Sequence, residues 1–224
     1  MNFPAQQADI YFDTQPSRAY IIGVQDPSSL WSQIECQAWH TALESYLDVV
    51  ARQQVNGLEE LDRWYREDFP ALLRQRDPQF ITLDELTQVA RWKMKRGVWR
   101  QRNLMLVEGN SDDVVKERSE QAFAVESDPR KPIALLSDLS GVGPATASAV
   151  MAAGKPDRYP FFDELVAAQV AELGAVAFTA AYYARYTDAL RERTLLLNDK
   201  CSHVAWKVQE VSQALWAASG GKSG

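Results

Sequence analysis

The stretch Leu135-Leu-Ser-Asp-Leu-Ser-Gly-Val-Gly-Pro-Ala-Thr-Ala-Ser-Ala-Val-Met-Ala-Ala153 decides how the chain folds. A short apolar run enters Gly141-Val142-Gly143, and Pro144 then stands at the first position of a second helix, where its missing amide is not needed. The two glycines let the backbone turn sharply and approach another molecule without a Cβ in the way, while Val142 points back between the helices. The segment 135–153 therefore reads as a tight helical hairpin. The amides that open its second helix, at Ala145 and Thr146, lie at the positive end of the helix dipole and form a site suited to a phosphate. The small face of Ala145, Ala147, Ala149 and Ala152 permits close helix packing.

Moving outward from the hairpin, nearly every periodic segment repeats at 3.6 residues and not at 2, which predicts an all-α protein. Leu30, Ile34, Ala38, Ala42, Leu43, Tyr46, Leu47 and Val50 predict one long helix from Leu30 to about Gln53. Leu58, Leu61, Trp64 and Tyr65 predict a short helix limited by Pro70. Thr82-Leu-Asp-Glu85 is a capping box that starts a helix running to about Arg96, with Gly97 just past its end. Ser111, followed by Asp112 and Asp113, opens another through about Phe123, and a short helix spans about 132–138. Beyond the hairpin's second helix, near 144–153, helices are expected near 163–173, 176–197 and 201–218, the last with the stripe Val204, Val208, Val211 and Leu215.

Residues 1–29, with Pro4, Pro16 and Pro27, read as an extended or partly disordered arm. Within it, Ala19-Tyr-Ile-Ile-Gly23 is a strand or a buried extended segment. Residues 30–218 form the helical body, and 219–224 read as a flexible tail. The start has no basic region followed by an apolar run, and no stretch reaches the roughly 18 apolar residues of a membrane span. An intracellular protein, nuclear or cytoplasmic, is expected, with no membrane partner. Cys36 and Cys201 are too few for a multi-disulfide framework or a four-cysteine cluster, and a reducing compartment fits them. His40 and His203 add too few ligands for a zinc site and read as structural residues, so no metal and no cofactor is expected. Glu59, Glu60, Asp62, Glu67 and Asp68, interleaved with Arg63 and Arg66, read as a solvated helix face.

The formal charge of −6 argues against a generally sticky nucleic-acid binder, but it conceals an asymmetry. Arg91-Trp-Lys-Met-Lys-Arg-Gly-Val-Trp-Arg-Gln-Arg102 holds six bases, no acid and two tryptophans. Such a segment combines phosphate attraction with rings that stack on a base or wedge into a duplex, which makes Lys93, Lys95, Arg96, Arg100 and Arg102 candidate phosphate contacts and Trp92 and Trp99 candidate wedges. The same residues also suit a helix end whose dipole welcomes cations over packed tryptophans.

The hairpin resembles the helix-hairpin-helix DNA-binding motif, with Leu139, Val142, Pro144, Thr146 and Ala147 matching around Gly141 and Gly143. Twenty residues beyond Gly143 comes Tyr159-Pro-Phe-Phe-Asp163, ahead of an amphipathic segment, and this order resembles the helix-hairpin-helix base-excision DNA glycosylases. The likeness covers about residues 82–175 and is strongest over 135–166. It implies a two-lobed helical fold with a DNA-reading cleft, double-stranded DNA as partner, and Asp163 as the catalytic carboxylate. A carboxylate near C1′ stabilises the positive charge that develops when an N-glycosidic bond breaks. The target nucleotide must leave the stack, so aromatic walls are needed, and Tyr159, Phe161 and Phe162 stand next to Asp163. Members that also cleave the abasic strand carry a lysine two residues after the second hairpin glycine; here that position is Ala145, so the resemblance implies a monofunctional, metal-free enzyme.

Other readings of the same residues stand beside this one. Asp163 also suits a plain helix N-cap, and the aromatics suit core packing. A non-catalytic helix-hairpin-helix nucleic-acid binder, or a helical scaffold whose hairpin only packs or meets a protein partner, uses the same sequence without the chemistry.

Overall fold

The structure, a computed structural model, describes residues 29–126, 128–201 and 205–222. Most of the N-terminal arm, with Ala19–Gly23, lies outside the described residues, as do His203 and Val204. Among the described residues every regular element is a helix, and the fold is all-α.

The stripe from Leu30 to Gln53 does not form one helix. It divides into a single 3-10 turn at Leu30–Ser32, α1 (Cys36–Glu44) and α2 (Tyr46–Arg52). The break falls at Ser45, whose hydroxyl donates to the Ala42 carbonyl at 2.8 Å, a local bond that competes with regular helix. Pro70 does not end the next helix either. After α3 (Leu58–Arg63) the chain widens into a π turn at Trp64–Asp68, so Pro70 falls in the first turn of α4 (Phe69–Arg74), where a missing amide is tolerated.

The capping box is present as expected at the head of α5 (Leu83–Arg96): the Glu85 amide donates to the Thr82 hydroxyl at 3.3 Å, and the Thr82 amide donates to the Glu85 carboxylate at 2.8 Å. A short helix not expected from the sequence, α6 (Gln101–Glu108), follows the basic segment, and α7 (Asp112–Ala124) starts from Ser111 as its capping residue predicts. Then come α8 (Arg130–Ser137) and α9 (Pro144–Gly154), the two arms of the hairpin.

The helix expected over 163–173 is only one turn, α10 (Glu164–Ala167), followed by a 3-10 turn at Ala171–Leu173. The Gln169 amide closes its end by donating to the carbonyls of Leu165 at 2.9 Å and Leu215 at 3.0 Å. The last two helices start later than their periodicity suggests. Thr179 caps α11 (Ala180–Lys200), and Glu210 accepts from the Lys207 amide at the head of α12 (Val208–Ala218).

One connected apolar core joins these helices, and α9 runs through it against α4, α5 and α8. Every residue from Ala145 to Ala153 is buried, so the small side chains serve all sides of α9 and not the single face read from the sequence. Tyr65 reaches in from the π turn and donates to the Ala149 carbonyl at 2.8 Å.

The reading of the two cysteines did not anticipate that they pair. A disulfide joins Cys36, the first residue of α1, to Cys201 at the end of α11 across a sequence separation of 165. Nothing in that spacing announces the bond; the packing of α1 and α11 around α12 brings the two ends together. His40 lies against Trp206, with ring centroids 5.0 Å apart. Among the described residues no helix is long and apolar enough to cross a membrane.

Candidate functional site

The two hairpin glycines have different roles. Gly141 adopts φ +76°, and a Cβ there would stand 2.5 Å from the Asn103 carbonyl oxygen and 2.8 Å from the Val107 amide nitrogen, so the turn lies hard against α6. Gly143 has φ −102° and is exposed, and a Cβ added to it meets nothing within 4 Å. Gly141 is required by the fold, whereas Gly143 keeps space open above the head of α9. Val142 is buried between the arms, as expected.

Asn110, which the sequence reading passed over, clasps this turn. Its carboxamide accepts from the Ser140 amide at 2.9 Å and donates to the carbonyls of Ser140 at 3.0 Å and Val107 at 2.8 Å, tying the hairpin to the end of α6. The only local signal is its place between Gly109 and Ser111, where one helix ends and the next begins.

Asp163 follows an extended segment whose backbone is pinned from several directions. The Phe161 amide donates to Gln209 at 2.7 Å and the Phe162 amide to the Ser148 hydroxyl at 2.9 Å, while Tyr186 donates to the Phe161 carbonyl at 2.8 Å. Asp163 then caps α10: its Oδ1 accepts from the Leu165 amide at 2.9 Å. Its Oδ2 accepts from Arg96 at 3.2 Å. Asp163 is thus an N-cap and half of an ion pair, set at the edge of a cavity.

Arg96 corrects the reading of the basic segment. It is not a surface phosphate contact; its side chain is only 4% exposed. Its guanidinium lies 4.0 Å from the ring centre of Trp216 and 4.9 Å from that of Trp92, and it donates to the Tyr46 hydroxyl at 2.6 Å. Burial works against this charge, but Tyr46, Asp163 and Asp62 outweigh it and hold the guanidinium pKa above its ordinary value. The chain of bonds continues inward, because Tyr46 donates to Asp62 at 2.8 Å, Trp92 donates to the same oxygen at 2.9 Å, and Arg66 donates to the other at 2.7 Å. Asp62 is therefore fully buried and leaves the solvated acidic face on which the sequence placed it. Three donors offset the desolvation of its charge. Burial also drives the Tyr46 hydroxyl pKa up, so it remains a donor.

Between the head of α9, the end of α5 and the segment before α10 lies a cavity of about 250 Å³. Its walls combine the hairpin residues Gly141, Gly143, Pro144, Ala145 and Thr146 with Lys93, Arg96 and Arg100 from the basic segment, and with Phe161, Phe162 and Asp163. Three stretches singled out from the sequence for separate reasons thus line one cavity. Lys93 is half-buried, and burial first, with Arg100 adding to it against Glu164, lowers its ammonium pKa.

Several expected site residues lie elsewhere. Trp92 is buried and stacks on Tyr65 with centroids 3.6 Å apart, which places it in the core and not at a wedge. Tyr159 is buried outside the cavity wall. Lys95 turns to the Asn56 carbonyl. Phe161 and Phe162 line the cavity but are 4% and 1% exposed, so they are core residues showing one edge to it. Trp99, Arg100 and Arg102 are exposed, Trp99 at 47%, with its indole donating to Gln101 at 3.1 Å. Phe178, not singled out from the sequence, is half exposed on the cavity wall with its ring 5.1 Å from that of Phe162. No periodic or motif signal marks it, because it stands in an irregular stretch. Compared with protein-family models, curated proteins and solved structures, the chain matches none.

Proposed function

We propose that the protein binds double-stranded DNA across the face formed by the hairpin and the end of α5, and takes one extruded nucleotide into the cavity beside Asp163 for cleavage of its N-glycosidic bond. The observation that carries this reading is the convergence of the hairpin turn, the basic segment and Asp163 on one cavity. Gly143 leaves open space beside the head of α9, where Ala145 and Thr146 line the cavity, and Arg100 and Arg102 offer exposed charge in an otherwise acidic chain. Phe178 and the edges of Phe161 and Phe162 give an apolar wall for a base. Asp163, paired with Arg96 on the cavity wall, is the carboxylate offered to an oxocarbenium-like sugar.

One observation favours a second reading, a DNA binder without chemistry: both oxygens of Asp163 are already engaged, by the Leu165 amide and by Arg96. Titration at fixed salt of a duplex carrying an abasic-site analogue against an undamaged duplex, followed by an activity screen over lesion-bearing duplexes, tests the proposal. Preferential binding with base release supports the enzyme. Preference without release leaves the binder, and no binding to either duplex removes DNA from the function altogether.

A further inference from the structure

After α12 the chain turns back on itself. Gly220 and Gly221 both take left-handed conformations, at φ +78° and +69°, and their amides donate to the Ala217 carbonyl at 2.9 Å and the Trp216 carbonyl at 3.3 Å. Gln53, at the end of α2, holds the turn from the other side by donating to the Gly220 carbonyl at 3.1 Å and to the Val49 carbonyl at 3.0 Å. Gly221 is buried in this seat: a Cβ there would stand 2.5 Å from the Gln53 side-chain nitrogen and 2.9 Å from the Trp216 ring. Trp216 is the ring that covers Arg96, so the turn rests on the stack that holds Asp163. The next residue, Lys222, is thereby delivered to the cavity wall, which it shares with Gly143, Ala145, Asp163 and Glu164. Its Nζ lies 3.6 Å from Glu164 Oε1, and the two side chains are 32% and 51% exposed.

The backbone and the ammonium of Lys222 are held very unequally. The backbone sits in a packed turn, whereas an ion pair this exposed favours its closed state by at most about fivefold. The side chain is therefore positioned at the rim by the fold and is ready to change partner there. We infer that Lys222 is a phosphate-binding residue of the duplex interface, for which Glu164 is a placeholder that it exchanges for a phosphate oxygen of the bound strand. This rests on the DNA reading above, and it adds a contact from a part of the chain far from the hairpin and the basic segment. While the cavity is empty, Glu164 keeps the ammonium at the rim. On binding, the cations condensed on the duplex are released as Lys222 takes their place, which drives the exchange. Glu164 then stands beside a phosphate of like charge, so the same carboxylate that parks the lysine also works against the duplex.

The test titrates the full chain with a duplex carrying an abasic-site analogue over a series of salt concentrations. Lys222→Ala is expected to weaken binding and to flatten the slope of log K against log salt by about 0.9. Lys200→Ala, which removes an exposed lysine at the end of α11 outside the cavity wall, is expected to leave the slope unchanged. Glu164→Gln is expected to tighten binding by up to about fivefold, and by less when Lys222 is already alanine, because only with the lysine present does the carboxylate compete with phosphate for it. An unchanged slope in Lys222→Ala, tighter binding in that variant as a merely obstructing side chain gives, or an equal gain from Glu164→Gln in both backgrounds overturns the inference and leaves DNA binding standing. Absence of duplex binding by the unaltered chain overturns both.

Discussion

Arg96 Nη2 lies 3.2 Å from Asp163 Oδ2, joining the end of α5 to the head of α10 through an ion pair whose two side chains are 4% and 10% exposed. The pair closes the floor of the cavity, and it connects that floor through Tyr46 to the fully buried Asp62. Asp163 thus holds the fold and faces the cavity at once.

Breaking the pair from the arginine side leaves a desolvated carboxylate. Arg96→Met is expected to destabilise the protein by about 3 kcal/mol or more in urea denaturation, and Arg96→Met combined with Asp163→Asn to recover a substantial part of that loss. If the double variant is no more stable than the single one, the loss comes from the aromatic contacts of Arg96 and not from the unpaired acid.

Asp163→Asn keeps the size of the side chain and an oxygen that accepts the Leu165 amide bond, but it removes the charge. Any base-excision activity is expected to fall by about a hundred- to ten-thousandfold, while affinity for an abasic-analogue duplex holds or improves. Full activity in this variant excludes Asp163 as the catalytic carboxylate.

The two glycines offer a way to test folding and the proposed DNA binding apart. Gly141→Ala is expected to destabilise by at least about 2 kcal/mol, since its left-handed conformation and the Asn103 carbonyl 2.5 Å from the new Cβ act together. At Gly143 an added Cβ meets nothing within 4 Å, so Gly143→Val is expected to fold with little loss, yet to weaken DNA binding by blocking the approach to the α9 amides. Normal DNA affinity in folded Gly143→Val makes the hairpin a packing device.

On the proposed DNA reading, phosphate contacts are expected at the exposed Arg100 and Arg102, and not at the buried Arg96 or at Lys95, whose ammonium is engaged by the Asn56 carbonyl. Arg100→Ala and Arg102→Ala are each expected to flatten the slope of log K against log salt by about 0.9, and Lys95→Ala to leave it nearly unchanged. An unaltered slope in the Arg100 and Arg102 double variant places the DNA-facing surface elsewhere.

The Cys36–Cys201 bridge closes a long loop of chain, so its reduction is expected to lower stability by about 2–4 kcal/mol. Urea midpoints with and without a dithiol reductant measure this. Equal midpoints, with thiol titration proving reduction, mean that packing of α1 on α12 alone holds the N-terminal helices in place.

The sequence by itself determined what depends on neighbours along the chain. Helical class, the Thr82 and Ser111 caps, and the hairpin with Pro144 at its second arm are local consequences of period, capping chemistry and turn residues, and all are present. It also brought Gly141, Gly143, Lys93, Arg100 and Asp163 to notice, and these line one cavity. Only the tertiary structure decided which of the similar side chains in 91–102 turn outward. Arg96 is buried because Trp216 from α12 and Tyr46 from α2 close over it, and those surfaces come from distant parts of the chain. The same holds for Asp62 under Tyr46 and Trp92, for Asn110 on the hairpin turn, and for the disulfide. A helical stripe tells which way a side chain points from its own axis; what it meets there is set by packing between elements, which no local pattern encodes.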